Sequence, residues 1–267
     1  MNTDILTKFD NIEVNNNTRI SPADQEFCED QEWQYKEFLT FADDYIVYLN
    51  YNPLANKFYN SQYLIIEMGK TKEDRKNHFI SNIVNHFRDK YNVTLKDESI
   101  KKKYNIDVTY NAIIDEIIEQ LEGYNFSDKA GKEIKDRLIN KVRGYNRNHV
   151  DVKKSKVILD SFFYIDSWDK KWGNDYGISY NYRGEFYHLL IAISHFEQEA
   201  TENLYDGILH TINYEKGDKL FTTHAMMNIK AESMKLFKNG KVEITFLTPE
   251  YAQQFAKEYC GYMGGVN

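Results

Sequence analysis

Glu185-Phe186-Tyr187-His188 is one Glu-x-x-His. On a helix it sets a carboxylate and an imidazole on one face, an arrangement that di-iron bundles use in pairs with two further carboxylates. The chain carries one such motif, which cannot make that centre, and His188 and His195 read as partly buried histidines lining one helical stripe. Glu133-Ile134-Lys135 has the letters of the nuclease Glu-x-Lys, which binds magnesium beside an aspartate and polarises water. Here it falls in a helical pattern and reads as a surface pair. Cys28 and Cys260 cannot fill a four-ligand zinc site alone, and neither has a neighbouring base motif that would activate a thiolate. No phosphate-cradling G-x-x-x-x-G-K-[ST] or G-x-G-x-x-G is present. Asn52-Pro53-Leu54-Ala55 and Asp160-Ser161-Phe162-Phe163 approach the Asp/Asn-Pro-Pro-aromatic loop that holds a flipped adenine. The first lacks the aromatic and the second the proline. The expectation is therefore a protein with no catalytic residue, no metal and no cofactor.

Charge is the stronger signal. The net charge of the 267 residues is −7, which disfavours a globally basic nucleic-acid binder. That charge is concentrated. Residues 21–44 hold eight acids and one base, Lys36. Asp24, Glu26, Glu29, Asp30, Glu32, Asp43 and Asp44 of this segment are the expected partner-binding residues, able to imitate a phosphate backbone or to dock on a basic partner. Residues 129–156 hold ten bases and three acids. There Lys132, Lys135, Arg137, Lys141, Arg143, Tyr145, Arg147, Lys153 and Lys154 are the expected nucleic-acid contacts, the bases neutralising phosphates and Tyr145 stacking on a nucleobase. The plain alternative is that both segments are solvated helix faces neutralising each other.

The elements that must carry these residues are largely helical. Residues 1–20 read as a flexible lead. Ser21-Pro22-Ala23-Asp24 is a helix start, with Ser21 as cap and Pro22 in the first turn. Phe38, Phe41, Tyr45, Tyr48 and Leu49 then fall at helical spacing and predict the inward stripe of the acidic helix. Tyr63–Met68 fits a strand or a helix, and Lys96–Lys103 a charged connector. Phe79, Ile83, Phe87 and Tyr91 mark a helix. So do Ile113, Ile114, Ile117, Ile118 and Leu121, stopped by Gly123, and Ile134, Leu138 and Val142, stopped by Gly144. Beyond residue 150 the pattern becomes mixed. Lys156–Ile165 reads as β-rich, Gly173-Asn174-Asp175 as a turn before Tyr176–Tyr180, and two helices follow around Phe186–Ile193 and Leu204–Ile212. Asn239-Gly240 between apolar alternations predicts a hairpin over 234–247, both turn residues tolerating positive φ. Thr248-Pro249 opens a last helix that ends at Gly261. The predicted class is α+β: a helix-rich region 21–148, a mixed region 149–261 with a small antiparallel sheet closed by the hairpin, and a tail 262–267, with a soft boundary near 145–152. No apolar run approaches the ~18 residues of a membrane helix and no apolar leader is evident, so a cytoplasmic protein without membrane contact is expected.

Three runs of the second half carry a resemblance: Lys153-Lys154-Ser155-Lys156-Val157-Ile158-Leu159, Tyr180-Asn181-Tyr182-Arg183-Gly184-Glu185-Phe186, and Phe237-Lys238-Asn239-Gly240-Lys241-Val242-Glu243-Ile244-Thr245-Phe246. Over about residues 110–260 they resemble an uncharacterised phage and plasmid domain that often stands beside adenine-N6 methyltransferase domains. Lys241 and Glu243 stand where that pattern commonly has Asn and His, and Asp151-Val152 where a Gly-Lys approach is usual. The resemblance implies a mobile-element origin and, with no methyltransferase motif in the chain, the domain standing alone. The expected function is that of a non-catalytic phage or mobile-element protein that binds and inhibits a host defence or nucleic-acid-processing complex. The alternative is a nucleic-acid-binding accessory module of a DNA-modification system. Homo-oligomerisation stays open.

Overall fold

A computed structural model describes residues 19–54, 60–143, 150–165 and 176–264. It divides into two compact units: one runs to Lys90 and resumes over Thr94–Gly123, the other takes Tyr91–Val93 and everything from Tyr124 onward. The division falls at Gly123, ahead of the 145–152 change of pattern. The reason is that the helix carrying Ile134, Leu138 and Val142 buries those residues in the core of the second unit. The two units together are α+β, as expected.

The first unit is built on two long helices, α1 (Pro22–Tyr51) and α2 (Ser61–Tyr91). Ser21 caps α1, its hydroxyl accepting the Asp24 N–H at 3.2 Å, with Pro22 in the first turn as the sequence predicts. The two helices run antiparallel. Successive contacts are Asp24 with His86 and Lys90, Gln31 with Asn82, Tyr35 stacked on Phe79, Arg75 over the Phe38 ring, and Asp43 with Lys72. Tyr63–Met68 lies within α2 and is helical. A short helix α3 (Glu98–Lys103) occupies the expected connector. The buried Lys76 ammonium donates to the Lys101 and Tyr104 carbonyls, each at 3.0 Å, and so satisfies the orphan acceptors at its C-terminus. Helix α4 (Tyr110–Gln120), capped by Thr109, buries Ile113, Ile114 and Ile117.

The second unit packs helices on one open antiparallel sheet of order β1-β2-β5-β4-β3. Its elements are α5 (Phe126–Arg143), β1 (Val150–Lys153), β2 (Lys156–Leu159), α6 (Arg183–Gln198), α7 (Asp206–Tyr214), β3 (Thr223–Ala225), β4 (Ala231–Leu236), β5 (Val242–Phe246) and α8 (Pro249–Cys260). The predicted hairpin is present, with Val242, Ile244 and Phe246 buried. It does not close the sheet: β5 is the central strand, pairing Val157 with Ile244 on one side and Met234 with Ile244 on the other. Nor do both turn residues take positive φ. Only Gly240 does, at +83°, after a turn in which its N–H donates to the Phe237 carbonyl at 2.9 Å. This is a three-residue loop with its left-handed residue last. Tyr176–Tyr180 contributes a single bridge, Ile165 to Ile178, followed by one 3₁₀ turn. The 173–175 turn and the Gly144 stop lie outside the described residues. An aromatic cluster joins helices to sheet, with Phe196 edge-on to Phe246, Phe255 and Tyr259. Among the described residues no helix is long and apolar enough to cross a membrane.

Candidate functional site

The acids of α1 divide by helical phase. Buried α1 residues include Cys28, Tyr35, Ala42 and Leu49, a strict seven-residue spacing that defines the inward stripe. Asp24 and Glu32 flank that stripe and turn inward, so the expectation of partner contact does not hold for them. Asp24 is fully buried, its carboxylate accepting from Ser21 Oγ (2.5 Å), His86 Nε2 (2.7 Å) and Lys90 Nζ (2.6 Å). Glu32 accepts the Tyr110 N–H at 3.0 Å and pairs with Lys36. Glu29 and Asp43 lie at the sides, the first reaching Gln25 and Tyr110 Oη, the second pairing with Lys72 at 2.6 Å. These cations belong to the first unit, while Glu26, Asp30, Glu37 and Asp44 have no ion pair among the described residues.

The predicted inward stripe is also displaced. Leu49 is buried, but Phe41 and Tyr48 face solvent, 60 % and 54 % exposed, with Trp33 and Tyr51 at 62 % and 82 %. The face opposite the inward stripe reads Glu26, Asp30, Trp33, Glu37, Phe41, Asp44, Tyr48, Tyr51, each three or four residues after the last. One helix side therefore carries acids interleaved with large aromatics along about 38 Å, at 1.5 Å per residue. Val47, Leu54, Tyr63 and Ile66, where α1 gives way to α2, are exposed as well. The sequence carries this seven-residue spacing of Cys28, Tyr35, Ala42 and Leu49 beside a second apolar stripe through Trp33, Phe41 and Tyr48, and packing decides between them.

The basic residues do not share one surface. Helical spacing spreads Lys132, Lys135, Arg137, Lys141 and Arg143 around α5. Lys135 pairs with Glu258 at 3.0 Å and sits over the Tyr259 ring. Arg137 reaches Glu133 at 3.4 Å, and Lys153 reaches Asp151 at 3.1 Å. Lys141 lies over the Tyr182 ring and pairs at 3.4 Å with Glu185, the carboxylate of the Glu-x-x-His. Lys132 lies over the Tyr124 ring. Arg143 and Lys154 line a groove described below. Tyr145 and Arg147 lie outside the described residues. Among the described residues no three His, Cys, Asp or Glu side chains group as a metal site. Burial pushes the thiol of Cys28 up to about 12 and that of Cys260 up as well, so neither is a thiolate near neutral pH.

Lys132 and Lys135 share a cleft of about 680 Å³ with Asp128, His195, Glu199, Lys230, Glu258 and Tyr259. His195 Nδ1 shares a 2.6 Å hydrogen bond with Tyr259 Oη, and a Cβ at Gly131 would stand 2.8 Å from His195 Nε2, so glycine is what lets the imidazole lie there. Acids offset the lysines of this cleft, which gives it no net pull on an anion. Burial, then Lys135, lowers the His195 pKa; burial, then Arg137, lowers that of His188. A histidine held neutral costs stability when the unfolded chain can protonate and the folded one cannot, so stability is full above the unfolded value of ~6.5 and declines below it. Thermal melts should show a lower melting temperature at pH 5.5 than at pH 7.5, with the slope flattened in His188→Gln/His195→Gln. An equal slope in that variant would contradict the assignment.

Compared with known protein families, curated proteins and solved structures, the chain has no match.

Proposed function

We propose that the protein is a non-catalytic binding protein whose acidic and aromatic α1 face docks on a basic surface of a partner protein. Proteins that process nucleic acid present such surfaces, so a host defence or nucleic-acid-processing complex is the partner class, and the motifs of residues 110–260 fit a mobile-element origin. The observation that carries the reading is the interleaving itself. Carboxylates attract Lys and Arg, and exposed ring faces hold guanidinium groups through cation–π contact at about 0.5–1 kcal/mol each. The arrangement also has a cost to the free protein. Glu26 and Asp30 are an i,i+4 like-charge pair, destabilising by ~0.2–0.5 kcal/mol.

Two variants test it: Glu26→Gln/Asp30→Gln/Glu37→Gln/Asp44→Gln and Trp33→Ala/Phe41→Ala/Tyr48→Ala. Each is used beside wild type for quantitative affinity capture from nuclease-treated host lysate, followed by binding to the purified partner. Both should lose retention by about tenfold or more. The wild-type interaction should weaken with salt, and the neutralised variant should melt at or above the wild-type temperature. Equal binding by both variants overturns the reading. Capture that disappears with nuclease treatment alone moves the weight to nucleic acid.

A further inference from the structure

In the second unit a groove of about 790 Å³ runs between the end of α5, the β1–β2 turn and one side of α8. Arg143, Lys154 and Lys257 line it together with Val152, Gln253 and Tyr262, and no carboxylate stands among its described lining residues. This separates it from the mixed-charge cleft. Among the described residues neither Lys154 nor Lys257 forms an ion pair, and both are exposed. Arg143 donates one N–H to the Gly261 carbonyl at 3.2 Å, at the C-terminus of α8 where a cation is favoured, and keeps its other donors for a ligand. Gly261 takes φ +64°, and a Cβ there would meet the Arg143 guanidinium at 2.8 Å, so the glycine makes room for the arginine. Lys154 is the first residue of the two-residue turn between β1 and β2 and takes the positive φ, +54°, that such a turn requires, at a cost of about 1 kcal/mol for a lysine.

We propose that this groove binds a nucleoside phosphate, with Arg143, Lys154 and Lys257 around the phosphate and the half-buried Tyr262 ring against the base. The volume suits one nucleotide. Cations for the phosphate beside an aromatic for the base is how single strands are held without sequence readout. The same chemistry arrives as a free nucleotide or as one unit of a single strand, and the experiment separates them.

A fluorescein-labelled oligo-dT of about ten nucleotides is titrated by anisotropy against wild type, Lys154→Gly/Lys257→Gln and Tyr262→Leu, with AMP and inorganic phosphate as competitors. Wild type should bind. The double variant should weaken by about tenfold or more, and its log–log salt slope should fall by about 1.4, at ~0.7 per lost single-strand phosphate contact. Tyr262→Leu should weaken by about fivefold or more, as loss of one base stack requires. Lys154→Gly alone should weaken binding without lowering the melting temperature, because glycine relieves the strain. Displacement by AMP identifies a nucleotide site; oligonucleotide binding that AMP cannot displace identifies a strand site. The proposal is overturned if the double variant binds as tightly as wild type, or if neither oligo-dT nor about 1 mM AMP binds. It is also overturned if inorganic phosphate competes as well as AMP while Tyr262→Leu has no effect.

Discussion

Gly240→Val is expected to cost the second unit about 3–5 kcal/mol, lowering its melting temperature by about 10 °C or more. Two effects act in the same direction. A β-branched residue resists φ +83°. The added Cβ would stand 2.3 Å from the Phe163 carbonyl oxygen, a backbone atom that cannot swing away. Moving that backbone would disturb the Phe162 and Phe163 N–H groups, which donate to the Gly240 carbonyl at 2.8 and 3.3 Å, and with them the buried Phe162 and Phe163 rings. The hairpin also supplies the central strand, so its register cannot slip without moving β2 and β4 together. Differential scanning calorimetry checks this. A shift under about 3 °C would mean the turn and the Phe163 segment are looser than described.

Asp24→Ala is the second large effect. It removes a fully buried carboxylate hydrogen-bonded to Ser21, His86 and Lys90, leaving the His86 ring and the Lys90 ammonium without that partner and weakening the helix cap. Breaking a buried charge cluster by removing one member costs about 3–5 kcal/mol; Lys90 is partly solvated, so about 2–4 kcal/mol is expected here. Glu26→Ala, two residues along on the outer face, should change stability by less than about 0.5 kcal/mol. Urea denaturation of both separates the inward from the outward acids. Equal effects would contradict the phase assigned to α1.

Local signals were legible in the sequence because they are local chemistry. Ser21-Pro22 and Thr248-Pro249 open helices, Thr248 accepting the Tyr251 N–H at 3.3 Å, and Gly261 ends the last one. Asn239-Gly240 turns a hairpin. What was not legible depended on packing. Helix α1 has large apolar residues on two sides, so spacing alone admitted either face as the inner one. Tyr63–Met68 has strand-like residue types but is short and is absorbed by a 31-residue helix. Helix α3 survives in a run of charges because the buried Lys76 holds its terminal carbonyls. The basic stretch reads as one patch along the chain, yet helical rotation sends Lys135 and Lys141 to their own acids. Arg143 and Lys154 meet Lys257, about a hundred residues away, only through the packing of α5, the β1–β2 turn and α8.

The docking face of α1 is tested most directly by photo-crosslinking from inside it. Benzoylphenylalanine replaces Phe41 in one protein and Tyr214, an exposed aromatic of the second unit, in another, and both are irradiated in host cells. The account predicts that position 41 crosslinks to one discrete partner protein with an excess of Lys and Arg on its surface. It predicts that position 214 does not, and that the crosslink is lost when Glu26, Asp30, Glu37 and Asp44 become glutamine. A crosslink from position 41 that survives that neutralisation, that is matched from position 214, or that joins two copies of this chain would contradict it.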